Sequence, residues 1–268
     1  MRTGWLAVFT VAVVFAGCVN PLPAAHEAPD LTTSWRALLG PATDRVVVQV
    51  HYTPEHVPYP AALTTLADEL GRATGKPVTV QTPIPMPSTG IANHTVADLL
   101  AVHARTFTLG APLLSGDAAS HTAWLHVLYL DGARAAGASQ SGETIGLHIG
   151  SLPAIYYFPK VQHLNVVLPP ASWDLLAAND EPVERAILVH EAGHALGLVD
   201  CGVPMVRAHD DAQHSCHSAS DGSVMTALVG GLQGVLELLQ DNQWVPYKFD
   251  ADDLADLQAA QASFQGGA

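Results

Sequence analysis

The sequence predicts an α/β (α+β) domain, and three observations carry that reading. First, β-branched runs at residues 45–51, 77–81 and 122–130 alternate with helical patterns at 60–74 and 95–107. Second, 49% of the 268 residues are hydrophobic and only 13% are charged, enough apolar surface for a packed core rather than a disordered chain. Third, the run His190-Glu191-Ala192-Gly193-His194-Ala195-Leu196-Gly197-Leu198-Val199-Asp200 places two histidines one helical turn apart.

The elements follow in order. Residues 1–17 read as a signal peptide: Arg2 gives a positive start, and the apolar stretch that follows is too short to span a bilayer. Residues 18–43 read as a tether, Pro- and Ala-rich at first, with a possible short helix at 31–39. The domain is set at 44–268. Residues 45–51 are a first strand. Residues 60–74 carry Ala61, Leu63, Leu66 and Leu70 on a helical period that Gly75 ends. Residues 77–81 are a second strand, 83–93 a Pro-rich loop and 95–107 another helix. The nearly continuous apolar run 122–130 predicts a central strand. Residues 144–149 and 154–158 read as strand pieces separated by Gly150-Ser151. A helix opens near Asn179-Asp180-Glu181-Pro182, with Asn or Asp as cap, and buries Val183, Ala186, Ile187 and Leu188. The segment from Phe249 onward is an acid-capped C-terminal helix.

The 190–200 run carries the chemistry. His190 and His194 share a helix face and can grip one Zn²⁺, with Glu191 beside them to take a proton from a water. Gly197 lets the helix stop and the chain turn. Asp200 is the expected third ligand. His209 and His214 are the alternatives, and no Glu occurs between Glu191 and Glu237.

HExxHxxGxxD resembles the zinc signature of the metzincin metallopeptidases, in the variant with Asp last that is similar to snapalysin. The segments Leu196 to Met205 and Val224-Met225 also resemble bacterial envelope lipoprotein metzincins. The resemblance implies a twisted mixed sheet with an active-site helix, a Met-turn and a C-terminal helix. It assigns one catalytic zinc to His190, His194 and Asp200, the general base to Glu191, and the Met-turn methionine to Met225 in Gly222-Ser-Val-Met-Thr226. It implies a zinc-dependent endopeptidase acting on a protein or peptide. The Tyr that some metzincins carry just after the Met is replaced by Thr226 and Ala227. The strand Gly146, Leu147, His148 and Ile149 is the candidate substrate rim, where an extended peptide adds by main-chain hydrogen bonds. The other readings are a zinc-dependent amidase of the cell envelope and a non-catalytic zinc-binding lipoprotein.

Phe15-Ala-Gly-Cys18 resembles a bacterial lipobox, with Phe where Leu is usual, and makes Cys18 the candidate lipidation site. The expected location is the bacterial cell envelope, with ordinary secretion as the alternative. Any membrane contact would run through the Cys18 lipid alone, and no partner protein is evident. Export leaves Cys201 and Cys216 as a natural disulfide pair. A second metal site among Cys201, His209, His214, Cys216 and His217 is the rival reading, and a polar surface loop is the plainest one for the histidines. The net charge of −14 argues against nucleic acid, whose phosphates need clustered Lys and Arg.

Overall fold

The computed structural model describes residues 32–135, 144–159, 169–241 and 244–266. The expectations for the signal peptide and Cys18 lie outside the described residues. In chain order the elements are α1 (Ser34–Leu39), β1 (Arg45–Tyr52), α2 (Pro60–Thr74), β2 (Val78–Val80), β3 (Ile84–Pro85), β4 (Asn93–His94), α3 (Val96–Thr106), β5 (Gly116–Asp117), β6 (Thr122–Tyr129), β7 (Ala133–Arg134), β8 (Gly146–His148) and β9 (Ala154–Tyr157). They continue with α4 (Pro170–Ala178), α5 (Asp180–Ala195), β10 (Asp210–Asp211), β11 (His214–Ser218), α6 (Leu232–Gln240) and α7 (Ala251–Gly266).

The main sheet runs β2-β1-β6-β9-β8, with β3 added to β1 and β5 to β6. β1, β2, β6 and β9 are parallel, and β8 lies antiparallel to β9 at the sheet edge. All eight residues of β6 are buried, as expected for a central strand covered on both faces. The larger core cluster packs Val46, Val48 and Val50 of β1 with Leu66 and Leu70 of α2 and Ile187 and Leu188 of α5.

Local signals account for the helices. Pro60 opens α2, and Gly75 closes it in the left-handed region at φ 67°. Thr95 and Asp98 form a capping box on α3. The cap expected on α5 does not form. Asn179 sits at the N-cap, but its amide turns back to donate to the Leu175 carbonyl of α4, 2.8 Å away, so Asp180 and Glu181 support the helix only as first-turn acids.

Several elements differ from expectation. α1 belongs to the domain: Trp35, Leu38 and Leu39 are buried in the core, so the tether does not extend to residue 43. Helices α4 and α6 and the β10–β11 hairpin were not predicted. No helix among the described residues is long and apolar enough to cross a membrane.

A buried polar chain joins α3 to the central strands β1 and β6. His103 Nε2 is 2.8 Å from the Pro112 carbonyl, so it must donate there. In the neutral ring its Nδ1 then accepts from His126 Nδ1–H at 2.9 Å, and His126 Nε2 accepts from His51 Nδ1–H at 2.9 Å. Burial holds all three histidines below their ordinary pKa, His126 furthest, so the neutral chain is the folded form.

Candidate metal centre

Helix α5 presents His190 and His194 on one face, with their Nε2 atoms 3.1 Å apart. His217 comes from β11 and stacks on His190, with ring centroids 5.2 Å apart and an interplanar angle of 26°. The ligand atoms of His190, His194 and His217 all lie within 4.8 Å of one another, so the trio could hold a metal ion. Hydrogen bonds orient two of the rings. His190 Nδ1 donates to the Val224 carbonyl at 2.7 Å, and His217 Nδ1 donates to the Ser215 carbonyl at 2.9 Å. Each leaves an Nε2 lone pair for the ion.

This arrangement differs from the expected ligand set. Asp200 is exposed and is not among the converging groups. After α5 the backbone passes through the left-handed region at Gly197 (φ 74°), Val199 (φ 53°) and Asp200 (φ 58°). Asp200 stands exposed at the end of that turn. The alternatives are engaged elsewhere. His209 Nε2 pairs with Asp256 at 2.8 Å, and the exposed His214 pairs with Asp211 at 2.7 Å. The rival second metal site is not formed either, because Cys201 and Cys216 are joined in a disulfide with Cα atoms 5.3 Å apart. Its position beside His217 is the one sequence signal that could have singled that residue out.

Glu191 is buried beside the triad and accepts a hydrogen bond from the His148 main-chain N–H. Burial pushes its carboxyl up to about 8 in the metal-free chain, while the His148 N–H and the Arg134 guanidinium oppose that rise. Burial likewise drives His190 down to about 3 and His194 and His217 below their usual range. The three imidazoles are therefore neutral and ready to ligate.

The candidate rim is β8 with Ile149 after it. Gly146 is needed where β8 meets the helix: a Cβ there would run into the Ile187 side chain and lie 2.7 Å from Glu191 Oε1. His148 also donates from Nε2 to Leu152 O at 2.8 Å, so its ring is committed to its own loop. Thr144 bridges to Gly231, and a Cβ on neighbouring Gly230 would lie 3.2 Å from His190 Nε2. Behind Ile145 a cavity of about 240 Å³ opens beside α5, walled by His56, Tyr157, Trp173 and Val183.

Met225 is fully buried under α5, and its sulfur occupies the space that a Cβ on Gly193 would need. Its turn is held by the Ser223 hydroxyl, which accepts from Met225 N–H at 2.9 Å and donates to Asp253 at 2.6 Å.

No protein-family model matches this chain, and no curated protein matches it. Three solved structures show a low-level likeness to it. An archaemetzincin from Methanopyrus kandleri is 12% identical with a TM-score of 0.48, over 84% of this chain and 98% of its own. A zinc-dependent peptidase from Methanocorpusculum labreanum gives 12% and 0.45, over 79% and 99%. An archaemetzincin from Archaeoglobus fulgidus, solved with malonate, gives 12% and 0.42, over 79% and 99%. At this level of likeness no residue role transfers from them to this chain.

Proposed function

We propose that this chain is a zinc-dependent endopeptidase. The observation that carries the reading is the convergence of three neutral imidazoles beside a buried carboxylate that an edge strand holds in place. Three nitrogen donors suit zinc and leave a fourth position open, whereas structural zinc sites usually close with four protein ligands. Bound zinc would supply Lewis acidity to a water and to the scissile carbonyl. His190, His194 and His217 would hold it. Glu191 takes a proton at its carboxylate and returns it to the departing amine. Its buried surroundings raise its basicity, and the His148 N–H fixes its direction. Among the described residues no strand pairs with the outer edge of β8, which, apart from the His148 N–H held by Glu191, offers main-chain groups to an extended peptide, and the cavity behind Ile145 offers room for one of its side chains.

We further propose export with lipid attachment at Cys18. The Cys201–Cys216 disulfide supports export, since such bridges persist in oxidising compartments. Labelling with a palmitate analogue tests it, and a Cys18-containing product without label refutes it.

The activity test compares wild type with Glu191→Ala on an unfolded general protein substrate, both assayed for bound zinc. Zinc in both and cleavage by wild type alone is the expected result. Zinc in both and cleavage by neither refutes the general endopeptidase.

A further inference from the structure

Helix α7 buries two carboxylates, Asp253 and Asp256. Buried carboxylates are costly unless paired, and these two share a face one turn apart. Each is tied to a different support of the triad. Asp253 accepts from the Ser223 hydroxyl of the Met225 turn, and the neighbouring Val224 carbonyl orients His190. Asp256 Oδ2 lies 2.8 Å from His209 Nε2, and its Oδ1 accepts the Val206 N–H at 2.6 Å. His209 in turn meets Ser218, the residue after His217, through a side-chain contact of 3.5 Å, and the His209 carbonyl accepts the Ala219 N–H at 2.8 Å.

Ser218, His209 and Asp256 thus follow the order of a hydrolytic triad, but Ser218 is only 2% exposed. Its hydroxyl also accepts the Ser220 N–H at 3.1 Å. A hydroxyl enclosed in this way has no room to attack a substrate. The arrangement works as a brace instead.

We propose that Asp256, acting through His209, is a positioning residue for the metal ligand His217. The inference rests on the zinc reading above. His217 stands between the Cys216 disulfide and Ser218, which is seated against His209 and also donates its N–H to the Met225 carbonyl at 2.8 Å. Without the brace the β10–β11 hairpin keeps its disulfide and the Ser218 bond to the Met225 turn but loses the His209–Asp256 link to α7, and the His217 ring is held less firmly against the α5 histidines.

The test measures zinc affinity by competition with a chromophoric chelator, and the visible absorption of the cobalt-substituted protein, in wild type, Asp256→Ala, His209→Ala and the double variant. Asp252→Ala, on the same helix with its partner Arg207 at the surface, serves as control. Loss of supporting contacts around a metal site weakens binding by about 10- to 100-fold. That loss is expected in both single variants with little more in the double variant, together with an altered cobalt spectrum, while the control matches wild type. Should Asp256→Ala fail to fold, Asp256→Asn and His209→Gln replace the alanine variants under the same criteria. Single variants that bind zinc within twofold of wild type overturn the brace, as does an equal loss in the control. Wild type that takes up no zinc overturns the metal reading itself.

Discussion

Breaking the Cys201–Cys216 bridge should lower stability by an amount set by loop length. The bridge spans a separation of 15 residues, with Cα atoms 5.3 Å apart, inside the normal range for a disulfide. In the chain-entropy account, closing such a loop in the unfolded chain is worth about 3 kcal/mol. For a domain of this size each kcal/mol moves the melting temperature by about 2–4 °C, so a Cys201→Ala/Cys216→Ala variant should melt about 6–12 °C lower. The assay is thermal unfolding of both proteins freed of metal by chelator, followed by circular dichroism, with reduced wild type as a third sample. Reduced wild type and the variant should agree, because both lose the same constraint. A melting temperature within 2 °C of oxidised wild type would refute the reasoning, since the unfolded chain would then gain no freedom from losing the bridge.

Three further outcomes are expected. His217→Ala should lose stoichiometric zinc while Asp200→Ala keeps it, as read by metal analysis after gel filtration; the reverse result restores Asp200 as ligand. The His51–His126–His103 chain should make folding acid-sensitive. Its folded pKa values are lowered by burial, so its stabilisation is complete above the unfolded value near 6.5 and declines as pH falls below it. Denaturant unfolding at pH 7 and pH 5 should show a larger drop in wild type than in His126→Gln, and equal drops refute the assignment. His56→Ala should cost about 3 kcal/mol in denaturant unfolding, because Glu184, fully buried and 2.6 Å from His56 Nε2, would keep, among the described residues, the Tyr59 N–H and the Tyr129 hydroxyl as donors; a loss below 1 kcal/mol refutes it.

The parts legible in the sequence are those whose stability is local or periodic. β1, β6 and α2 declare themselves by β-branching, a continuous apolar run and a closing glycine. His190, Glu191 and His194 are legible because helical geometry fixes their spacing. The β10–β11 hairpin was not legible: Asp210-Asp211 and His214 to Ser218 show no apolar alternation, and what holds them is a disulfide and a hydrogen bond from the adjoining His209 to Asp256, 47 residues on. His217 was lost with it, one of three histidines in a polar loop. Asp200 was the expected ligand because it stands at the right interval, but interval alone does not fix where a side chain ends, and Asp200 is exposed at the end of a left-handed turn. Helix α6 carries a readable period in Leu232, Val235, Leu236 and Leu239, although nothing in it points to the site.

The Gly193–Met225 contact also determines when the molecule is vulnerable to oxidants. In the folded chain the sulfur is sealed beneath α5 with no solvent path. Oxidation to the sulfoxide adds a polar oxygen, and the glycine has already yielded its space to the sulfur itself. Damage therefore enters while the chain is unfolded, and a chain oxidised then must fold around an atom that the finished interior does not admit. Oxidative history before folding, rather than exposure afterward, would decide how many molecules reach the metal-competent state.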